Sequence, residues 1–212
     1  MAGSRSSSSL DAPEPLPAPG VVLAVGASAG GTEALREFLS ALPATCPPVL
    51  IVQHMLAQFT GPFAERLDGL SALAVREAQH GDRVATGCAL VAPGGHHMRL
   101  VRDAAGYAVQ LGSDPPVRRH RPSVDVLFAS CAEVAGGRAI GIILTGMGND
   151  GARGLLAMRR AGAHTIAQDE ATSAVFGMPR AAIALDAAEQ VLPLGRLARE
   201  TLRLLRTDRA LA

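Results

Sequence analysis

Val21-Val22-Leu23-Ala24-Val25-Gly26-Ala27-Ser28-Ala29-Gly30-Gly31 is the stretch whose reading decides the fold. Its first five residues are apolar and three are Val, the pattern of a strand buried on both faces. A turn of small residues follows, and Thr32-Glu33-Ala34-Leu35-Arg36-Glu37-Phe38-Leu39 then carries a helical pattern. Ser28 therefore stands where a strand ends and a helix begins. Gly26 and Gly30 frame it as G-x-S-x-G, the nucleophile-elbow pattern. Such a turn holds the hydroxyl out at the sheet edge, where flanking side chains larger than methyl would block approach. The helix N-terminus leaves backbone N–H groups free to face a developing oxyanion. Small residues also make plain tight turns, so the motif needs partners elsewhere in the chain. A dinucleotide-binding loop fits poorly. Ser28 stands where G-x-G-x-x-G needs glycine, and some twenty residues on, where a ribose-binding acid belongs, the chain has Pro47-Pro48-Val49-Leu50.

Working outward, Val49-Leu50-Ile51-Val52 predicts the next strand, ending in Gln53-His54-Met55. A helix is expected over 59–70 and a third strand over 73–75. Cys88-Ala89-Leu90-Val91-Ala92 is a short apolar run closed by Pro93-Gly94-Gly95. Residues 97–102 and 107–111 alternate around Asp103-Ala104-Ala105-Gly106, which predicts a hairpin interrupting the strand–helix alternation. Ser123 is a candidate N-cap for a helix over 124–135. The run 139–144 is another buried strand. It empties into Thr145-Gly146-Met147-Gly148-Asn149-Asp150-Gly151 and a helix over 152–161. A strand over 165–167, a short helix opened by Met178-Pro179-Arg180, an edge strand at Val191-Leu192 and a helix over 194–205 complete the chain. The expected fold is α/β: a doubly wound, mainly parallel sheet flanked by helices, with an antiparallel β-hairpin insert.

The 212 residues suit one domain with a large core, and 48% of them are apolar. Only 3% are aromatic and none is Trp, so Ala, Val, Leu and Ile must fill that core. A formal net charge of +1 gives no support to nucleic-acid binding. Cys46, Cys88 and Cys131 form neither zinc spacing nor a disulfide framework, which favours a reducing, cytoplasmic setting. No apolar run is long enough to span a membrane, and no signal-peptide core precedes Val21. Residues 1–20 are Ser-rich and then Pro-rich, the composition of a disordered tail. The expected boundaries are a tail over 1–20, a folded domain over 21–206 and a C-terminal tail over 207–212.

Three strand ends thus carry groups suited to acyl chemistry: Ser28, His54 and Asp150. Each alone has a plainer explanation, as a cap, a turn residue or an N-cap. Together at one sheet edge they supply what a serine nucleophile needs. An imidazole takes the hydroxyl proton, and a carboxylate fixes the tautomer and stabilises the imidazolium. An α/β-hydrolase order would need a histidine after the acid. Only His164 follows Asp150, near the start of a strand and so at the wrong edge. His96 and His97 are adjacent on a strand, so their side chains point to opposite faces and do not share a metal ion.

These motifs resemble the catalytic domain of the CheB family of chemotaxis receptor methylesterases over residues 21–205. The matching stretches are Gly26-Ala27-Ser28-Ala29-Gly30-Gly31, Gln53-His54-Met55, Ala92-Pro93-Gly94-Gly95, Arg119-His120-Arg121-Pro122-Ser123-Val124-Asp125, Leu144-Thr145-Gly146-Met147-Gly148-Asn149-Asp150-Gly151 and Phe176-Gly177-Met178-Pro179. The resemblance implies Ser28 as nucleophile, His54 as base and Asp150 as triad acid. Backbone N–H groups of Ala29 and Met147 would hold the oxyanion, with the Met147 side chain packed away. It implies hydrolysis of glutamyl γ-methyl esters on the cytoplasmic helices of methyl-accepting chemoreceptors, with methanol released and glutamine deamidation at the same site. No metal, cofactor or membrane insertion is implied. Arg118, Arg119 and Arg121 form a basic run, either a solvated loop or a contact with acidic receptor surface. Family members carry an N-terminal phosphoacceptor receiver domain, whereas only about twenty low-complexity residues precede Val21 here. Control by phosphorylation within these 212 residues is therefore an open expectation: the domain is constitutively uncovered, another chain regulates it, or the sequence is truncated. The non-enzymatic rival is a nucleotide-binding or scaffold module on a Rossmann-like sheet.

Overall fold

A computed structural model describes residues 20–207; nearly all of the expected N-terminal tail, and the C-terminal tail beyond Thr207, lie outside the described residues. In chain order the elements are β1 (Val22–Ala27), α1 (Gly31–Ser40), β2 (Val49–Gln53), α2 (Ala57–Asp68), β3 (Ala74–Glu77), β4 (Cys88–Val91), β5 (His97–Asp103), β6 (Gly106–Gly112) and α3 (Val124–Val134). A 3-10 turn (Gly136–Arg138), β7 (Ala139–Ile143), α4 (Ala152–Arg160), β8 (His164–Gln168), α5 (Met178–Ala184), β9 (Gln190–Leu192) and α6 (Leu194–Thr207) follow.

Seven strands form one sheet in the order β3-β4-β2-β1-β7-β8-β9, and every neighbouring pair is parallel. The sheet is thus wholly rather than mainly parallel, because β5 and β6 pair only with each other as a separate antiparallel ribbon. Helix α2 begins two residues before the expected 59, since Ala57 and Gln58 carry no apolar signal. Strand β3 extends to Arg76 and Glu77, which is possible because it lies at the sheet edge, where polar side chains find water.

The two faces of the sheet are filled by alternate residues of each strand. In β1 and the residue before it, Val21, Leu23, Val25 and Ala27 pack with α1, α2 and α6, while Val22 and Ala24 pack with the other face. That second face carries α3, α4, α5 and the β5–β6 ribbon. Gly26 continues the second set. A Cβ there would lie 2.2 Å from Val124 Cγ1, so this glycine lets α3 approach the sheet. The first glycine of G-x-S-x-G therefore serves helix packing, not the access to the hydroxyl that the sequence suggested. Chain direction splits between β1 and β7: β1 leads toward β2, and β7 toward β8. The crevice at that switch, beyond the carboxyl ends of the strands, is where such sheets bind ligands.

Candidate active site

Strand parity brings the first two residues together. Ala27 of β1 pairs with Gln53 of β2, so Ser28 and His54 are the next pair in the same register. Both follow the alternation onto the face that holds α3. The His54 amide donates to Ala27 O at 3.2 Å, and Gln53 Nε2 donates to Ser28 O at 3.0 Å, which ties the two strand ends together. Ser28 N–H donates to Thr145 O at 3.0 Å, and Thr145 Oγ1 donates to Ala29 O at 2.9 Å. The elbow is thereby stitched to the loop after β7. Gly30 follows Ser28 with φ of +77°, a left-handed turn that glycine makes without steric cost. Gly146 lies directly against the serine, since a Cβ there would sit 2.8 Å from Ser28 Cβ.

The third residue arrives from the β7–α4 loop. His54 Nε2–H donates to Asp150 Oδ2 at 2.8 Å, with the imidazole 8% exposed and the carboxylate sealed from solvent. Asp150 also accepts from Ser123 Oγ at 2.8 Å, Val124 N–H at 2.7 Å and Asp125 N–H at 3.1 Å. The last two are the first amides of α3, so Asp150 caps a helix other than the one its own loop enters. Ser123 occupies the N-cap position of α3, as expected, but its hydroxyl makes no capping bond there and is spent on Asp150. Burial would raise the Asp150 pKa. The four hydrogen bonds, from His54, Ser123 and the two amides, outweigh it and hold the carboxyl below the usual range. The acid is therefore ionised beside the imidazole.

With Nε2 on the carboxylate, the nitrogen left to accept a proton is Nδ1. This reverses the common triad arrangement, in which Nδ1–H faces the acid. His54 Nδ1 is buried and has no hydrogen-bond partner among the described residues. Ser28 Oγ likewise makes no hydrogen bond among the described residues.

An open cleft of ≈650 Å³ is lined by Ser28, Ala29, Arg119, His120, Met147 and Asp150, among others. Among the described residues, the amides of Ala29 and Met147 donate to no other group, so both are available to an oxyanion. The Met147 side chain is 73% exposed, which corrects the expectation that it packs into the core.

The basic run divides. Arg118 Nε donates to Asp125 Oδ2 at 2.6 Å and its Nη1 to Asn149 Oδ1 at 3.0 Å. Arg121 Nη1 donates to the carbonyls of Ser113 and Asp114 at 2.9 and 3.1 Å. Both make hydrogen bonds within the molecule, and Arg118 also lines the cleft. Arg119 is exposed at the cleft and has no partner among the described residues. Arg118 and Arg119 form a two-residue turn with φ of +48° and +69°, closed by paired backbone bonds between Val117 and His120.

Sequence reasoning gave His120 no role, although it stands in the matching stretch Arg119-His120-Arg121-Pro122-Ser123-Val124-Asp125. Its ring stacks on His54 with centroids 3.7 Å apart and planes 4° from parallel. The missed supports Gln53 and Thr145 are polar at strand ends and stand in two of the matching stretches, which gave them no role. His97 is buried and satisfied: Ser123 N–H donates to its Nδ1 at 3.2 Å, and its Nε2 donates to Pro115 O at 3.1 Å. His96 is exposed, so the two adjacent histidines face apart. His164 begins β8 opposite Ile140, at the edge remote from Ser28, and bonds Glu189. His54, His120 and Asp150 bring three potential metal ligands within 4.8 Å. They do not converge on one ion as arranged. A metal must lie near the plane of each imidazole that binds it, and two parallel rings have no such common point. Both Asp150 oxygens, moreover, are taken by four donors. Cys46 and Cys131 are buried free thiols pushed up to about 12 by burial, so neither offers a thiolate. No helix among the described residues is long and apolar enough to cross a membrane.

Comparison with known proteins agrees with this geometry. A family model described as CheB methylesterase matches residues 23–201. A Rhodospirillum rubrum protein named protein-glutamate methylesterase/protein-glutamine glutaminase 2 is 62% identical over 182 residues, covering 86% of this chain and 50% of that one. A Bordetella pertussis protein named protein-glutamate methylesterase/protein-glutamine glutaminase is 63% identical over 179 residues, 84% of this chain and 51% of its own. The chain spans about half the length of these curated relatives. The crystal structure of the Thermotoga maritima CheB methylesterase catalytic domain superposes with a TM-score of 0.86 at 35% identity, covering 88% of this chain and 100% of that one. With its parallel sheet, hairpin ribbon and motif set all matched, the chain belongs to the CheB methylesterase family.

Proposed function

We propose that the chain is a serine hydrolase that removes methyl groups from glutamyl γ-methyl esters on the cytoplasmic helices of chemoreceptors, in chemosensory adaptation. The observation that carries this reading is the bonded His54–Asp150 pair at the sheet edge, in register beside Ser28. Ser28 Oγ attacks the ester carbonyl while His54 Nδ1 takes its proton. The tetrahedral oxyanion accepts from the free amides of Ala29 and Met147, which stand at the same cleft. Asp150, ionised and fixed by the α3 amides, stabilises the imidazolium. Methoxide leaves with the proton from Nδ1 as methanol. Water then attacks the glutamyl-enzyme with His54 again as base, which frees the carboxylate and restores the serine. Glutamine would follow the same path with ammonia leaving, in keeping with the double name of the relatives. The nucleotide-binding alternative is weaker. A side chain, not a glycine, occupies the phosphate-facing turn, and no acid stands at the end of β2, which closes on Gln53 and His54.

The test is methanol release from methylated receptor membranes by the native chain and by Ser28→Ala. Loss of a triad serine costs on the order of a millionfold in turnover. The Ser28 side chain holds no hydrogen bond among the described residues, so the variant should fold as the native chain does. Residual release close to native would overturn the assignment. Parallel ammonia release from the unmodified glutamine form measures the deamidase share.

A further inference from the structure

We propose that His120 is a positioning residue for the catalytic base: its ring, stacked on His54, holds the imidazole plane so that Nδ1 is presented to Ser28 while Nε2 stays on Asp150. This deepens the hydrolase reading and rests on it. One hydrogen bond to Asp150 fixes a single atom of the His54 ring and leaves the ring free to tilt about it. The face-to-face contact at 3.7 Å and 4° removes that freedom. The chain invests in holding the second ring. His120 closes a two-residue turn in which two arginines, Arg118 and Arg119, are both left-handed, a conformation uncommon for non-glycine residues and found at functional sites. Arg118 is then tied to Asp125 and Asn149, so the turn is anchored to α3 and to the loop carrying Asp150.

The stack also suits the proton transfer. His54 becomes charged when it takes the serine proton, and a neutral aromatic face beside it is favourable. His120 remains neutral. Burial pushes its pKa below the ordinary 6.5, the charge on His54 pushes it further, and Asp150 and a hydrogen bond to the Arg118 backbone only partly offset them. The charged groups around the ring are Asp150 across the cleft, Arg118, which is neutralised by Asp125, and Arg119, which is exposed. His120 Nδ1 is buried without a partner, and the polar contact the ring does make is to the backbone of Arg118 in its own turn, not to substrate-facing groups. The plane of the ring is the working feature, and a phenyl ring should replace it.

The experiment compares His120→Ala and His120→Phe in the full chain. Methanol release is measured as kcat and KM separately, with Ser28→Ala as blank, alongside the NMR shift of the His54 ring protons. His120→Ala should lower kcat by about tenfold to a hundredfold, the cost of a misplaced catalytic group, and leave KM within about twofold. His120→Phe should return kcat to within about threefold of native. The upfield ring-current shift of His54 should be present in the native chain and in His120→Phe, and lost in His120→Ala. Native kcat in a folded His120→Ala overturns the proposal. So does a folded His120→Phe as slow as His120→Ala, and so does a native chain with no ring-current shift. If Ser28→Ala were as active as native, the hydrolase reading would fail, and the NMR comparison would still decide whether the stack exists.

Discussion

Asp150 and Asp125 do the same structural work at opposite ends of one contact, yet only one of them faces the chemistry. Asp150, from the loop entering α4, caps the first amides of α3 at 2.7 and 3.1 Å. Asp125, from the first turn of α3, returns the favour by accepting Gly154 N–H in the first turn of α4 at 2.7 Å. The two helices thus cap each other, and each carboxylate also accepts from a side chain beyond the helix it caps. For Asp150 that group is the buried imidazole of His54, and for Asp125 it is the guanidinium of Arg118 at the rim. Capping, then, is not the bland alternative to catalysis at Asp150. It supplies the donors that keep the carboxylate ionised and motionless. What separates the two acids is the neighbour across the gap: an imidazole in one case, a permanent cation in the other.

Asp150→Asn breaks the comparison most severely. An amide NH2 in place of one oxygen must face either the His54 side or the Ser123 side, both occupied by donors. A donor facing His54 Nε2 moves the ring proton to Nδ1, the nitrogen that must be bare to act as base. Turnover should fall by about four orders of magnitude, as in other triads given the wrong tautomer. The unmatched donors should cost about 1–3 kcal/mol in stability. The pH dependence carries a separate sign. The Asp150 pKa is depressed in the folded chain, so its stabilisation is present above the unfolded carboxylate pKa and is lost as pH falls through the folded one. Denaturant melts from neutral pH downward should therefore show a shallower acid loss in Asp150→Asn than in the native chain. An equal slope would mean that the carboxylate is not held as described.

Asp125→Asn sharpens the same contrast at a smaller scale. Its Oδ1 can still accept from Gly154 N–H, but Arg118 loses its carboxylate. The pair is partly buried, with side chains 25% and 12% exposed, so about 1 kcal/mol of stability should be lost. Turnover should change by less than about tenfold, because Asp125 touches neither His54 nor Ser28 and the turn that carries His120 keeps the Arg118–Asn149 bond and its paired backbone bonds. A loss matching Asp150→Asn would show that the two caps act as one unit and that the division drawn between them is false.

Much of this was legible in the sequence, and the parts that were not share a cause. The strands β1, β2 and β7 are apolar runs that end in polar residues, and parallel pairing puts all such ends on one edge. Parity then sets Ser28 and His54 on one face, since each lies an even number of residues beyond Ala24 and Leu50, which pack on α3's side. Ser28, His54 and Asp150 could therefore be named from spacing and chain order. Asp150 as a cap could also be read, but not the helix it caps, because that partner is 26 residues away and chosen by tertiary packing. His120 was hidden because three arginines around it made the loop look like a charge cluster. Side-chain partners of those arginines depend on Asp125, Asn149 and the carbonyls of residues 113 and 114, none of which a run of positive charge reveals. Met147 is apolar yet exposed, and its loop conformation, not its hydropathy, decides that.

Arg119 is the smallest and most selective point at which to press. It sits in the same turn as Arg118 but has no acid of its own among the described residues, so its charge is offered to the cleft mouth. If the substrate is an acidic receptor helix, Arg119→Ala should raise KM by roughly two- to fivefold, the worth of one exposed ion pair, with kcat unchanged. The effect should shrink at high salt, where the native chain loses the same advantage by screening. A short neutral glutamyl ester should be hydrolysed equally well by both. Substituting Arg118 as well should add little charge attraction, because Asp125 already neutralises it, and should instead reproduce the stability loss of Asp125→Asn. An unchanged KM on intact receptor at low salt would remove Arg119 from recognition and leave the turn with a single task, that of carrying His120.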